Sequence, residues 1–188
     1  MKRRIFNTSR KYPKKRYTNK FEEYQIRVFN NIKGWIGVLD GNSYYALRDL
    51  INSAEKEILI ITYQIKADII KNNNTISKII GIIKSKKLKG VEVKILINKK
   101  YPINYMVDIA EKSKMNLKKE GLEVKTYKRN KTLHSKLIII DKERIYIGSH
   151  NLTNTALLYN CESGIIIDNK DIANFFESYF NKLWSEGE

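Results

Sequence analysis

One cysteine, two histidines and two prolines are all that 188 residues hold of these types. A single Cys161 cannot close an internal disulfide, which excludes a disulfide-stapled scaffold and points to a reducing compartment. It is expected as a small core hydrophobe. No Cys and His fall at zinc-site spacing, so neither metal nor cofactor is expected. Apolar runs are short: ILII at 58–61 is far below the roughly 20 residues that span a bilayer, and the charged first residues lead into no apolar signal segment. No integral membrane association is therefore expected, and the cytoplasm is the expected location. Negative charge is also in short supply, with 20 Asp and Glu against 36 Lys and Arg, a net +16. That surplus repels itself unless a polyanion or an anionic surface neutralises it, so nucleic acid (DNA or RNA) or acidic lipid is the expected partner.

What is present reads as one domain with an appendage. Residues 1–20 carry nine Lys and Arg and no acid, and residues 1–30 are read as a basic N-terminal arm in which Phe6, Tyr12, Tyr17 and Phe21 interleave with the cations. Residues 31–188 are read as the catalytic domain. From Trp35 the pattern turns regular: an apolar stretch at 36–39, a turn at Asp40 and Gly41, and Ser43 as the N-cap of a helix with Leu47, Leu50, Ile51 and Ala54 at helical spacing. ILIITYQI follows as a strand buried on both faces, then a helix over 75–89 ended by Gly90, the strand VEVKILI, and a helix after Pro102 ended by Gly121. LEVKTY, LHSKLIII, RIYIG and GIII read as further strands, and a helix from about Asp171 closes the chain. The fold class is therefore α/β: a mixed, largely parallel β-sheet flanked by helices on both faces. The stripe of the last helix (Ile172, Phe175, Phe176, Tyr179, Leu183) is assigned to core or dimer packing.

With only two histidines, any imidazole chemistry runs through His134 or His150. His134 and Lys136 lie two apart in LHSKLIII, so a strand would project both to one side. After the turn at Asp141, the next strand delivers Gly148, Ser149, His150 and Asn151 beside them. A phosphodiester needs donors for its two non-bridging oxygens: the Lys136 ammonium, the Asn151 amide, the Ser149 hydroxyl and the backbone at Gly148 can supply them. A neutral His134 can then attack phosphorus and split one difficult displacement into two easier ones. His150 is expected to be a loop residue or a minor substrate contact rather than a second acid. Lys125, Lys128, Arg129 and Lys131, just before the motif, are candidate substrate-binding cations.

HSKLIIID at 134–141, followed by GSHN at 148–151, resembles the HxKxxxxD and GSxN motif of the phospholipase D superfamily. The resemblance implies an α/β sandwich over about Trp35 to Trp184, with His134 as nucleophile and Lys136 and Asn151 as phosphate-binding groups. It also implies Ser149 as a small pocket residue, Asp141 as the motif's structural acid, and Glu162 as a carboxylate orienting the imidazole. Family sites use two such motifs. This chain has one, so the resemblance implies a homodimer sharing one site. The expected function is a metal-independent endonuclease. Two competing functions are a phospholipid (cardiolipin or phosphatidyl) hydrolase or transferase of the same chemistry, and a nucleic-acid-binding protein that does not cleave.

Overall fold

The computed structural model describes residues 34–40, 43–67, 74–127 and 130–188. The basic arm, Lys128 and Arg129 lie outside the described residues. Seven strands form one sheet: β1 (Gly34–Leu39), β2 (Glu57–Thr62), β3 (Glu92–Asn98), β4 (Glu123–Tyr127), β5 (Leu137–Ile140), β6 (Arg144–Gly148) and β7 (Ser163–Asp168). Five helices accompany them: α1 (Ser43–Asn52), α2 (Thr75–Leu88), α3 (Asn104–Lys119), α4 (Asn154–Leu158) and α5 (Lys170–Ser185).

The strand order is β1-β7-β6-β5-β2-β3-β4. Only β2–β3 and β3–β4 pair in parallel, while the other four neighbour pairs are antiparallel. Five of the seven strands nevertheless point one way, β5 and β7 being the reversed ones. The expected mixed, largely parallel sheet holds in that directional sense; β5 returns to β6 through a tight hairpin, while β6 reaches the antiparallel β7 through a longer connection that carries α4. A hairpin can only return antiparallel, whereas β2, β3 and β4 are joined through the long crossovers of α2 and α3.

Strand periodicity divides the core in two. Ile58 and Ile60 of β2 face one way with Val93, Ile95, Ile138 and Ile140, and α1, α2, α3 and α4 cover that face. Leu59 and Ile61 face the other way with Leu96, Ile139 and Ile145, and α5 alone covers them through Ile172, Ala173, Phe180 and Leu183. Both layers are therefore filled from a single apolar run, which is why the strand reads as continuously hydrophobic.

Local chemistry sets the ends of the helices. Asn74 caps α2 by accepting from the Ser77 amide at 2.9 Å, and Asn169 caps α5 by accepting from the Ile172 amide at 3.0 Å. Gly90 and Gly121, at φ +90 and +77, take the left-handed turns that end α2 and α3 as expected. Ser43 departs from expectation. It is the first residue of α1, fully buried, and its hydroxyl donates to the Leu157 carbonyl at 3.1 Å rather than capping. Helix α4 has only five residues, too few to leave a periodic trace in the sequence.

Candidate active site

Strand register places the chemistry-bearing residues in one row. Ile61 at the end of β2 opposes Leu137 at the start of β5, Leu137 opposes Ile147 near the end of β6, and Gly148 opposes Gly164 at the start of β7. Tyr63, Lys136, Ser149 and Glu162 therefore emerge along the same edge of the sheet. A cleft of about 530 Å³ opens there, lined on its polar side by His134, Lys136, Asn151 and Glu162.

His134 does not sit on a strand. Residues 131–136 run without regular structure into β5, and they are fixed from outside. The buried Asn98 at the end of β3 accepts from the Leu133 amide at 2.9 Å, which pins the residue immediately before the histidine. The Lys136 ammonium donates to the His134 carbonyl at 2.7 Å and stands 3.2 and 3.3 Å from the two ring nitrogens. Tyr63 flanks both groups: its ring centroid lies 4.8 Å from that of His134 and 5.3 Å from the Lys136 nitrogen. Tyr101 stands against Tyr63 at 5.0 Å, and its hydroxyl donates to the Tyr63 carbonyl.

This packing sets the protonation states. Burial, and secondly the Lys136 charge, push the His134 pKa below its ordinary value, so the imidazole keeps a free lone pair at neutral pH. Lys136 is almost fully buried; burial pushes its pKa down, and the Glu162 carboxylate opposes that shift. A neutral nucleophile thus stands against a buried cation.

The other motif residues divide. Asn151 lines the cleft, and its Oδ1 accepts from the Gln64 amide at 3.3 Å, which leaves its donor end for a ligand. Ser149 lines the cleft too, but its hydroxyl accepts from the Ser163 amide at 3.0 Å and donates to the Ser163 carbonyl at 3.3 Å. The expected phosphate donor is thus already engaged, extending the β6–β7 ladder by one residue. Glu162 reaches the cleft with its main chain clamped to Asp40, which donates to the Glu162 carbonyl and accepts from the Glu162 amide, each at 3.0 Å. Its carboxylate accepts from Asn160 at 3.1 Å, and within one chain no hydrogen bond joins it to His134.

Asp141 is not part of this edge. It lies at the far end of β5, about 17 Å of strand from Lys136. Its carboxylate accepts from the amides of Glu55, Lys56 and Glu57 at 2.8, 2.8 and 2.7 Å, holding the chain that enters β2. With Lys142 it forms a hairpin turn at φ +55 and +58, a conformation that Asp tolerates.

Gly148 lines the cleft, and its missing side chain also makes room for Tyr146. A Cβ there would stand 2.1 Å from the Tyr146 hydroxyl, and one at Gly164 would stand 2.5 Å from the Tyr146 ring. Tyr146 is buried flat across both glycines, and its hydroxyl lies 2.5 Å from Nδ1 of His150. His150 lies in a loop as expected, but it is buried, and burial lowers its pKa. Cys161, expected in the core, is exposed.

Of the basic candidates, Lys125 is committed elsewhere: it donates to the Trp184 carbonyl at 3.2 Å and sits 4.8 Å from the indole centroid, tying down the end of α5. Lys131 is exposed three residues before His134. The last helix follows its core assignment in part, with Ile172 buried and Phe176 packed against the core. Phe180 and Leu183 are core, but Phe176 and Tyr179 line the cleft beside Leu137 and Ile147. Sequence reasoning missed Tyr63, Asn98, Phe176 and Tyr179 as site residues. An aromatic just past a buried strand, as in ITYQI, was the available signal for Tyr63.

A family model described as "Cardiolipin synthase, PLD-like domain" matches residues 47–184. The chain belongs to the phospholipase D superfamily. Within that superfamily it is similar to a probable cardiolipin synthase (YwiE) of Bacillus subtilis, at 26% identity over 142 residues, 74% of this chain and 26% of the relative. The chain thus spans about a quarter of that relative's length. Among solved structures it resembles the phospholipase D family member Nuc of Salmonella typhimurium, with a TM-score of 0.66 at 22% identity, covering 82% of this chain and 97% of that one. It also resembles the archaeal chromatin protein TrmBL2, with a TM-score of 0.54 at 22% identity, covering 84% of this chain and 54% of that one. The phospholipase D-like fold is therefore shared along nearly the whole described sheet. Among the described residues no helix is long and apolar enough to cross a membrane, and no group of three or more His, Cys, Asp or Glu is placed to hold a metal ion.

Proposed function

We propose that this chain is a metal-independent phosphodiesterase that hydrolyses nucleic acid through a phosphohistidine on His134, its active site shared across a two-fold homodimer. The observation that carries the reading is the contact between the His134 ring and the Lys136 ammonium at 3.2 to 3.3 Å, with Asn151 in the same cleft. A ring nitrogen of His134 attacks phosphorus, and the P–N bond forms as the P–O bond to the leaving oxygen breaks. Lys136 and Asn151 hold the non-bridging oxygens, whose charge grows in the transition state. The leaving oxygen takes a proton from the partner subunit's His134, which next removes one from the water that cleaves the P–N bond. Phosphate monoester and free imidazole result, and both histidines return to their starting states. Two identical imidazoles in opposite protonation states titrate as a coupled pair, which gives a bell-shaped rate profile.

The net +16 supports a polyanionic substrate, and TrmBL2, described as binding DNA, shares the fold. Lys131 and the cations outside the described residues, Lys128, Arg129 and the 1–30 arm, are proposed to track its backbone. A second reading, phospholipid as the phosphodiester, draws on the cardiolipin synthases and phospholipases D among the relatives. One experiment separates the readings: labelled single-stranded DNA, duplex DNA, RNA and cardiolipin vesicles are each incubated in excess EDTA with wild type and with His134→Ala. Oligonucleotide cleavage by wild type alone is expected. Lipid hydrolysis without oligonucleotide cleavage would establish the second reading. Salt-sensitive binding with no turnover would leave a binding protein.

A further inference from the structure

The catalytic cleft has two unlike walls. One carries the groups that hold and attack a phosphodiester, while the other is made of Leu137 and Ile147 from the sheet and Phe176 and Tyr179 from α5. A phosphate alone fills far less than about 530 Å³, so the second wall faces whatever is attached to the phosphorus.

We propose that Phe176 and Tyr179 form a stacking wall for the nucleobase beside the scissile phosphate, making single-stranded nucleic acid the substrate. The inference rests on the nuclease reading above and adds a specificity element to the same site. Three features of α5 support it. Tyr179 takes no part in the core layer beneath the sheet, which Ile172, Ala173, Phe180 and Leu183 fill with Phe176 packed against its edge. Tyr179 stays 40% exposed although it belongs to the helix's apolar stripe, so its position is not explained by core filling. Phe176 is held edge-on by Phe175, with centroids 5.3 Å apart and planes at 86°, so a planar ligand meets a pre-oriented ring.

The chemistry favours a base over an acyl chain. A base is planar, is joined to the phosphate through one sugar, and stacks on any aromatic face whatever its identity. A tyrosine at a cleft mouth suits such a ring because its face is apolar while its hydroxyl stays in water. In a duplex the bases are already stacked inside the helix and cannot reach a wall beside the phosphate unless they are extruded. A single strand offers them freely. The excess of cations over acids favours a polyanionic strand in the same cleft.

The test removes the ring and the base separately and together. A single-stranded oligonucleotide is made with a normal nucleotide, or an abasic tetrahydrofuran residue, beside one labelled linkage. Its cleavage is measured in excess EDTA with wild type, Tyr179→Phe, Tyr179→Ala, Phe176→Leu and His134→Ala. Loss of the base or loss of the Tyr179 ring is expected to lower kcat/KM at that linkage by about tenfold to a hundredfold. Removing both should lower it no further, Phe176→Leu should show a smaller loss, and Tyr179→Phe, which keeps the ring, should recover most of what Tyr179→Ala loses. Independent losses that multiply would overturn the stacking wall, as would duplex cleaved as fast as single strand. A drop in solution mass for Tyr179→Ala would assign the ring to the subunit interface and also overturn it. If instead His134→Ala cleaves like wild type, or only lipid vesicles are hydrolysed, it is the underlying nuclease reading that fails.

Discussion

The two ends of β5 carry the same motif and do opposite things. At its start, His134 and Lys136 are held against each other in an open cleft, and each is pushed toward its neutral form. At its far end Asp141 spends its whole carboxylate on three backbone amides and a tight turn. One end sets a neutral imidazole against a desolvated cation, while the other gives a carboxylate three backbone donors. A motif eight residues long thus joins a chemical device to the fastening that holds its strand in register. The two histidines repeat the contrast, with His134 facing the cleft and His150 sealed behind it against Tyr146.

The sharpest way to break this comparison is to substitute one residue at each end. His134→Ala should lower cleavage on the order of a thousandfold or more, since nucleophile and acid are lost together, with little change in unfolding midpoint. Asp141→Ala should do the reverse, costing about 2 kcal/mol in urea unfolding because three amides lose their acceptor, while cleavage per folded molecule stays near wild type. A large catalytic loss in folded Asp141→Ala would mean that the far end acts on the chemistry.

The histidines can be separated by pH. His150 has its folded pKa lowered by burial, so between that value and the unfolded value near 6.5 the unfolded chain binds more protons than the folded one. Stability should therefore be fully present above about pH 6.5 and fall as the pH drops through that window, with the slope flattened in His150→Asn. Under the proposed shared-site mechanism the acid limb of the cleavage profile belongs to the His134 pair and should be unmoved by that substitution. The smallest effect is expected at Lys125, whose contact with Trp184 is structural. Lys125→Ala should cost under about 1 kcal/mol of stability and leave the salt dependence of nucleic-acid binding unchanged. A shallower salt slope would return it to the substrate track.

Much of the fold could be read because its local and global signals agree. The Ile76, Ile79, Ile80 and Ile83 stripe of α2 is buried along its length, and the runs at 58–61 and 137–140 are strands buried on both faces. The motif brought His134, Lys136, Asn151 and Glu162 to one cleft from positions as many as 28 apart. What escaped depends on tertiary contact. Nothing in the sequence shows that Tyr146 lies across Gly148 and Gly164, so two glycines required by a phenol ring resemble glycines open to a ligand. Likewise the helical stripe takes in Tyr179 and passes over its neighbour Phe180, and only the 100° turn between them decides that Phe180 fills the core while Tyr179 faces the cleft.

The central claim is that His134 becomes covalently bound to the substrate's phosphorus. It is tested most directly by acid or denaturant quenching during turnover of a single-stranded oligonucleotide, followed by peptide mass spectrometry under conditions that preserve P–N bonds. The account predicts a nucleotidyl adduct on His134, absent from His150 and absent in His134→Ala. Undiminished turnover by His134→Ala, or an adduct on any other residue, would contradict it.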